Sequence, residues 1–432
     1  MQTPEEFLKE NGLDVAGIDR AALAAAFLKE MEAGLAGRES SLRMIPTYIS
    51  PYGDVRKDVP ITVLDAGGTN LRGAIVTVGS NGEMRMEQKE RGAMPGATSE
   101  VDNDTFYEAF AAHVRRLEPY AKTKDVGFCF SYPAEANAEG DSKLLMWTKQ
   151  IKAPGILGQW VGAELAKRLD GKCGKIVVLN DTVATLLAGK ATEKSITYSS
   201  YIGFILGTGT NVAYLEKNSA ISKLPGLPQD GAMIINSESG AFSRIAQSAF
   251  DKAMDAKTAD TGKSIFEKMI AGVYLGRIGL EIYKSAAKAR RFFSPEAAAR
   301  VAALQALESM DFDNFCAQAE GPHPNPLDAV FTDPADREMA RRLGTPVFDR
   351  AAILTAVHLA AFIFKTGGGT DPAHPVCVNV DGSTYYKTKT VDFPTVVKEE
   401  LDAMLRPRNI SYALTCVDDA PMIGAAVAAL IV

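Results

Sequence analysis

The stretch VLDAGGTNLRGAIVTV, residues 63–78, reads as an apolar strand, a polar turn and a second apolar strand. A plain hairpin closes in about two turn residues, typically Asn-Gly or Asp-Gly. The turn here is longer: Asp65 ends the first strand, and Gly67, Gly68, Thr69 and Asn70 follow before the next apolar run. Gly67 and Gly68 let the main chain come close to a ligand. A row of free backbone N–H groups, joined by the Thr69 hydroxyl and the Asn70 amide, makes an anion-binding concavity. Asp65 suits a magnesium ion held through water, because that ion keeps its hydration shell. Taken alone, the stretch leaves two readings open, a phosphate cradle or a decorated hairpin loop.

A second stretch of the same layout starts at YIGFILGTGTNVAYLE, residues 201–216. Its turn is Gly207-Thr208-Gly209-Thr210-Asn211. Two such turns on two similar units can grip a polyphosphate from both sides. Neither is a Walker loop, and Gly262-Lys263-Ser264 is not one either, because Lys257 stands where the first Gly of that pattern belongs.

Around these turns the chain alternates short strands and helices. ITVLDA (61–66), LRGAIVTV (71–78), DVGFCFS (125–131) and KIVVLN (175–180) read as strands, and Leu157, Val161, Leu165 and Leu169 share one helical face between the last two. Such alternation argues for α/β layers. Thr3-Pro4-Glu5-Glu6 is a capping-box pattern, and Leu23, Phe27, Met31 and Leu35 line one face of a second helix. Residues 240–310 read as mostly helical, and 376–432 return to strand and helix. The Pro-punctuated EGPHPNPLDAV (320–330) is read as a surface loop.

The 432 residues suffice for two or three domains, and 46% hydrophobic with 23% charged residues is the balance of a soluble globular protein. A net charge of −6 argues against nucleic-acid and anionic-membrane partners. Five scattered cysteines without CxxC pairs fit reduced thiols and offer no zinc site. The acidic start MQTPEEFLKENG has no apolar core of a signal peptide. The apolar run AAILTAVHLAAFIF (351–364) falls short of the roughly 20 residues of a membrane span and reads as a core helix. The expectation is a soluble, cytoplasmic protein without a membrane anchor, a monomer or homodimer.

LNDTVATLLAG (179–189) puts Asn180 and Asp181 where a strand meets a helix. Asp181 there is either a helix cap or, at a strand's carboxyl end where α/β folds place ligands, a general base. Phosphoryl transfer asks little of a base because its transition state is loose. Glu238 in IINSESGAF and Glu267 in SIFEKMIAG are carboxylates that paired sugar hydroxyls would use; otherwise Glu267 and its neighbour Lys268 are solvated helix charges. Trp147-Thr148-Lys149 supplies an aromatic, a hydroxyl and a cation. The four histidines share no spacing and are assigned to core or surface.

Taken together, the segments MIPTY (44–48), LDAGGTNLR (64–72), GFCFSYP (127–133), LLMWTK (144–149), LNDTVATLLAG, ILGTGTN, INSESGAF, FEKMIAGVYLG (266–276), VNVDGSTY (378–385) and GAAVAAL (424–430) resemble the hexokinases of the glucokinase-like, eukaryotic type. The resemblance implies an α/β, two-lobed, actin-like (ribonuclease H-like) ATPase fold, with duplicated α/β domains around a central cleft. The smaller domain would be 47–179 with 420–432, and the larger 1–46 with 180–419. It implies ATP-dependent phosphorylation of glucose and other hexoses at the 6-hydroxyl, the first step of glycolysis, with MgATP and a hexose as partners. Asp181 resembles the catalytic base. Ser131, Thr148, Lys149, Asn180, Asn211, Glu238 and Glu267 resemble sugar contacts, and Lys149 also steadies the transferring phosphoryl group. Gly67, Gly68, Thr69, Asn70, Arg72, Gly207 and Thr208 resemble phosphate contacts, with Asp65 at the magnesium. Asp381, Gly382, Ser383 and Gly424 resemble the adenosine wall. The chain departs from the family pattern at Gln150-Ile151, at Ser239 in place of a Trp, and at DDAPMIGAA (418–426), where Ile423 replaces a Lys. Two other readings keep the scaffold: a kinase for another sugar or polyol, and a non-catalytic sugar sensor.

Overall fold

The computed structural model describes residues 2–147, 151–191 and 196–431. The strands, in chain order, are β1 (Ile45–Pro46), β2 (Ile61–Ala66), β3 (Asn70–Val78), β4 (Met84–Ala93), β5 (Val126–Phe130), β6 (Ala134–Ala136), β7 (Ser142–Leu144), β8 (Ile176–Leu179), β9 (Ser200–Leu206), β10 (Thr210–Lys217), β11 (Ala232–Asn236), β12 (Val376–Asp381) and β13 (Tyr412–Thr415). One sheet runs β4-β3-β2-β5-β8 and the other β1-β11-β10-β9-β12-β13, with β6 and β7 forming a separate ribbon. Without β1, both sheets have the same plan. Three antiparallel strands joined by consecutive turns are followed by two parallel ones, reached by crossovers. The duplication suspected from the two Gly-Thr turns is therefore present in the topology: each turn joins the first and second strand of its sheet.

The sequence-predicted strands fall on β2, β3, β5 and β8 within a residue at each end. β4 had no such signal, because MRMEQKERGA is a partly solvated edge strand full of charge. The capping box at Thr3 is formed, with Glu6 N–H donating to Thr3 Oγ1 and Thr3 N–H to Glu6 Oε2. Leu157 corrects one expectation. The helix begins at Val161, and Leu157 lies before it with an exposed side chain. The segment 320–330 is irregular up to the short helix Pro326–Val330.

The helix Pro334–Thr366 is long and apolar enough to cross a membrane by length and composition, and most of its apolar window is buried inside the fold. His358 lies in it, ringed by Phe27, Phe204, Phe266 and Phe362. Burial pushes its pKa down to about 3, so the ring is a neutral core group.

Two helices join the halves by exchange. Asp181–Ala191 follows β8 of the first sheet yet packs on the second, where Asn379 Nδ2 donates to Thr185 O at 2.8 Å. Ala420–Leu430 follows β13 of the second sheet yet packs on the first, so close that a Cβ on Gly127 would lie 2.3 Å from Ala425 O. The two helices meet at Gly424, whose missing Cβ would lie 1.8 Å from Ala184 O. Gly424→Ala is therefore expected to destabilise the protein by ~1–3 kcal/mol or more, the cost of overpacking. A lowered thermal midpoint tests this, and an unchanged midpoint would show that the helices part freely.

Candidate active site

Both Gly-Thr turns and the strand ends beside them open onto one cleft between the sheets, a cavity of about 890 Å³. One wall carries Gly68, Thr69 and Ser131; the other carries Asn180, Asp181, Thr208, Asn211, Glu238 and Glu267. Residues separated widely in sequence thus line one cavity: most sit at strand ends that face the cleft, and Glu267 comes from the short helix Ile265–Ile270.

The first turn is closed by Gly67 N–H donating to Asn70 O at 3.0 Å. Tyr132 OH braces it from beneath by donating to Gly67 O at 2.7 Å. Asn70 hydrogen-bonds the Thr69 hydroxyl and accepts from the Arg91 guanidinium at 3.0 Å, so β4 adds a cation beside the turn. In the second turn Gly207 N–H donates to Gly209 O at 2.9 Å, and Thr384 Oγ1 and Gly272 N–H both donate to Gly207 O at 2.8 Å. The bend at Asp381, Gly382 and Ser383 lies against it: a Cβ on Gly207 would be 3.6 Å from Ser383 N. Gly382 needs its φ of 121° to make that bend.

Asp181 begins the helix Asp181–Ala191, half-buried on the cleft floor. Its Oδ1 accepts from Thr182 N–H at 2.9 Å, as does Asn180 Oδ1, so both cap the helix start. The cap and base readings of Asp181 are compatible, since its second oxygen remains for the cleft.

Three polar side chains on the second wall form a chain. Asn211 Nδ2 donates to Asn236 Oδ1 at 2.7 Å, and Asn236 Nδ2 donates to Glu238 Oε1 at 2.8 Å. Glu238 has a left-handed backbone, φ 54°, a strain that aims its side chain into the cleft. Burial pushes its pKa up to about 7; the Asn236 hydrogen bond and Arg43 pull it down, and the charges of Asp181 and Glu267 push it further up. Glu267 accepts from Thr210 N–H at 2.9 Å and touches the space a Gly209 Cβ would fill. Its place in the cavity wall settles the alternative of a solvated helix charge.

Lys268 is the clearest correction. It is 0% exposed, and its Nζ donates to Asp255 Oδ1 at 2.6 Å, Thr258 Oγ1 at 2.9 Å and Asp260 O at 3.0 Å. The buried pair ties down the loop that brings Gly262, Lys263 and Ser264 to the cavity.

Arg72 and Asp65 sit below the cavity. Asp65 is 6% exposed, and Arg72 Nε and Nη2 both bond its Oδ2, at 2.8 and 2.7 Å. Burial and the Asp181 charge push the Asp65 pKa up while Arg72 opposes them. Arg72 is thus occupied by carboxylates, where the resemblance placed it on phosphate. Gly424, expected at the adenosine wall, lies in the helix Ala420–Leu430 and packs against Ala184. Thr148 and Lys149, with Gln150, lie outside the described residues. Arg43, Ser41, Met146 and Lys263 line the cavity without having been expected there. Arg43 directly precedes the MIPTY segment, the one signal that pointed near it.

A sequence profile described as hexokinase matches residues 5–191, and a second with that description matches 201–431. The chain belongs to the hexokinase family. Among hexokinases it is similar to Hexokinase-5 of Oryza sativa, 33% identical over 273 residues, or 59% of this chain and 53% of that protein. To Hexokinase-2 of Rattus norvegicus it is 29% identical over 397 residues, covering 84% of this chain and 42% of that one. The chain therefore spans about half the length of these curated relatives. A solved hexokinase from Schistosoma mansoni, complexed with glucose, superposes with a TM-score of 0.78 at 25% identity over 99% of both chains. Another solved hexokinase shares the fold, with a TM-score of 0.73 at 24% identity over 99% of this chain and 96% of that one. The two-lobed α/β architecture is the actin-like fold of these hexokinases.

Proposed function

We propose that the protein is an ATP-dependent hexose 6-kinase, with glucose the first substrate to test. The observation that carries this is one cleft wall holding Asp181 beside the Asn211–Asn236–Glu238 chain and Glu267, opposite a glycine-threonine turn. A hexose seated on these acceptors exchanges its hydroxyl hydration for bonds to charged groups, each worth ~1.5–3 kcal/mol. Seated so that its primary alcohol reaches Asp181, the sugar loses that proton to the carboxylate. The alcohol oxygen bonds the γ-phosphorus of ATP, the bond to the β,γ-bridging oxygen breaks, and ADP leaves. Positioning and charge stabilisation supply most of the rate. Backbone N–H groups of both turns would hold the phosphates.

Asp65 would meet a magnesium ion brought in with the nucleotide by exchanging Arg72, the cation that its buried carboxylate holds at 2.7 Å. Such an ion supplies charge neutralisation on the phosphate oxygens. By resemblance we assign Thr148 and Lys149 to the sugar and the phosphoryl group. Closure of the lobes would exclude water as a competing acceptor. The free thiols of the described residues suit a reducing compartment such as a cytoplasm.

The test is phosphorylation of glucose, mannose, fructose and glucosamine with ATP, read as ADP release. Turnover of none of them overturns the reading. Glu238 adds a pH signature. A sugar hydroxyl donating to its carboxylate favours the ionised form, so binding releases a proton from a group titrating near 7. The sugar KM is then expected to rise as pH falls below 7, by up to about tenfold per unit. In Glu238→Gln the sugar KM is higher throughout and this slope is gone; a slope that survives the substitution removes Glu238 from the explanation.

A further inference from the structure

Asp419 directly precedes the lobe-joining helix Ala420–Leu430, the position where an Asp normally caps the helix with its side chain. It makes no such bond. Its backbone is left-handed, φ 52°, a conformation that costs an L-residue free energy and persists where the surroundings enforce it. The carboxylate is spent elsewhere: Oδ1 accepts from Arg72 Nη1 at 2.8 Å, and Oδ2 lies 3.4 Å from Lys89 Nζ. Arg72 therefore sits in a clamp of two carboxylates, with Asp419 on one arm and Asp65 on the other two nitrogens. The three partners come from the end of β2, the start of β3 and the lip of the joining helix.

We propose that Asp419 is a positioning residue of the nucleotide site, fixing Arg72 so that Asp65 can exchange its guanidinium partner for the nucleotide's metal. The inference rests on the kinase reading above. A metal–nucleotide arriving at the first turn brings a cation to Asp65 and anionic oxygens toward Arg72. Both side chains then change partners, and an arginine released from Asp65 with nothing else to hold it would lose its orientation. Asp419 keeps Nη1 anchored through the exchange, so the guanidinium pivots on one hydrogen bond. The anchor lies at the start of the helix that crosses to the other lobe, so the exchange at the phosphates is mechanically tied to the joint between the sheets. Lys89 faces the same carboxylate from β4.

The experiment measures binding of ADP and of a non-hydrolysable ATP analogue by calorimetry, each with and without Mg²⁺, in the full chain and in Asp419→Asn, Asp419→Glu and Arg72→Met. Asp419→Asn keeps the size but removes the charge, so the charge-assisted anchor on Arg72 becomes a weaker neutral one. Its Mg²⁺-dependent affinity for nucleotide is expected to fall about tenfold or more, and its KM for MgATP to rise in step. Its sugar KM should stay within twofold and its thermal midpoint within a few degrees. Asp419→Glu should recover part of the loss, and adding Asp419→Asn to Arg72→Met should cost nothing further. Unchanged Mg²⁺-nucleotide affinity in Asp419→Asn overturns the inference. So does a parallel loss of sugar affinity and thermal stability, which marks a purely structural residue, or an additive double variant. If the parent chain itself binds no Mg²⁺-nucleotide, the kinase reading has failed instead.

Discussion

Asp181→Ala should fold, bind glucose with near-parental affinity and lose turnover by ~10²–10⁴-fold, the range for removing a general base. Folding should survive because Asn180 Oδ1 also accepts from Thr182 N–H, so the helix start keeps a cap. The loss in stability should be no more than the ~0.5–2 kcal/mol typical of a missing cap. Sugar affinity should survive because Asn211, Glu238 and Glu267, the proposed sugar acceptors, lie on elements other than the Asp181 helix. The measurement is kcat and sugar KM by coupled assay, alongside glucose binding by calorimetry. Retention of a tenth of the parental rate would remove Asp181 as the base. Loss of glucose binding would make it a sugar anchor first.

Lys268→Met is the second large effect, and it acts on stability and binding together. Asp255 is 5% exposed, and its pKa is lowered on balance: burial pushes it up, while Lys268 and the Gly262 N–H pull it down further. Removing the lysine strands that carboxylate in the interior, which costs ~3–5 kcal/mol when one partner of a buried pair is lost. Glu267 is the adjacent residue on the same short helix, Ile265–Ile270, so its aim into the cleft depends on this anchor. The denaturation midpoint should fall with the slope unchanged, and the sugar KM should rise while the KM for ATP stays near parental. A folded variant of parental stability would mean that Asp255 finds water or a proton at no cost.

Local punctuation explains what was legible in the sequence. Gly67-Gly68 and Gly207-Thr208-Gly209 interrupt apolar runs, so both hairpins and their shared plan could be read from short windows. Asp181 stood out because a strand and a helix meet there within a few residues. The edge strand β4 was not legible, since a solvated strand rich in charge carries no apolar alternation. Lys268 looked like any helix lysine because its burial comes from the chain folding back over it through Asp255, Thr258 and Asp260. The Arg72–Asp419 bond was beyond sequence reading for a simpler reason: the partners are 347 positions apart. The same distance effect hid the packing of Gly424 on Ala184, where the two helices meet.

The exchanged helices carry one more implication. Each half of the polypeptide donates the segment that roofs the other half's sheet, Asp181–Ala191 going one way and Ala420–Leu430 the other. A fragment ending near residue 191 and another starting near 200 would each present a bare apolar face shaped for its counterpart. Expressed apart they should be sticky and poorly soluble, whereas co-expressed they should reconstitute a working whole, making this chain a natural scaffold for split-protein reporters.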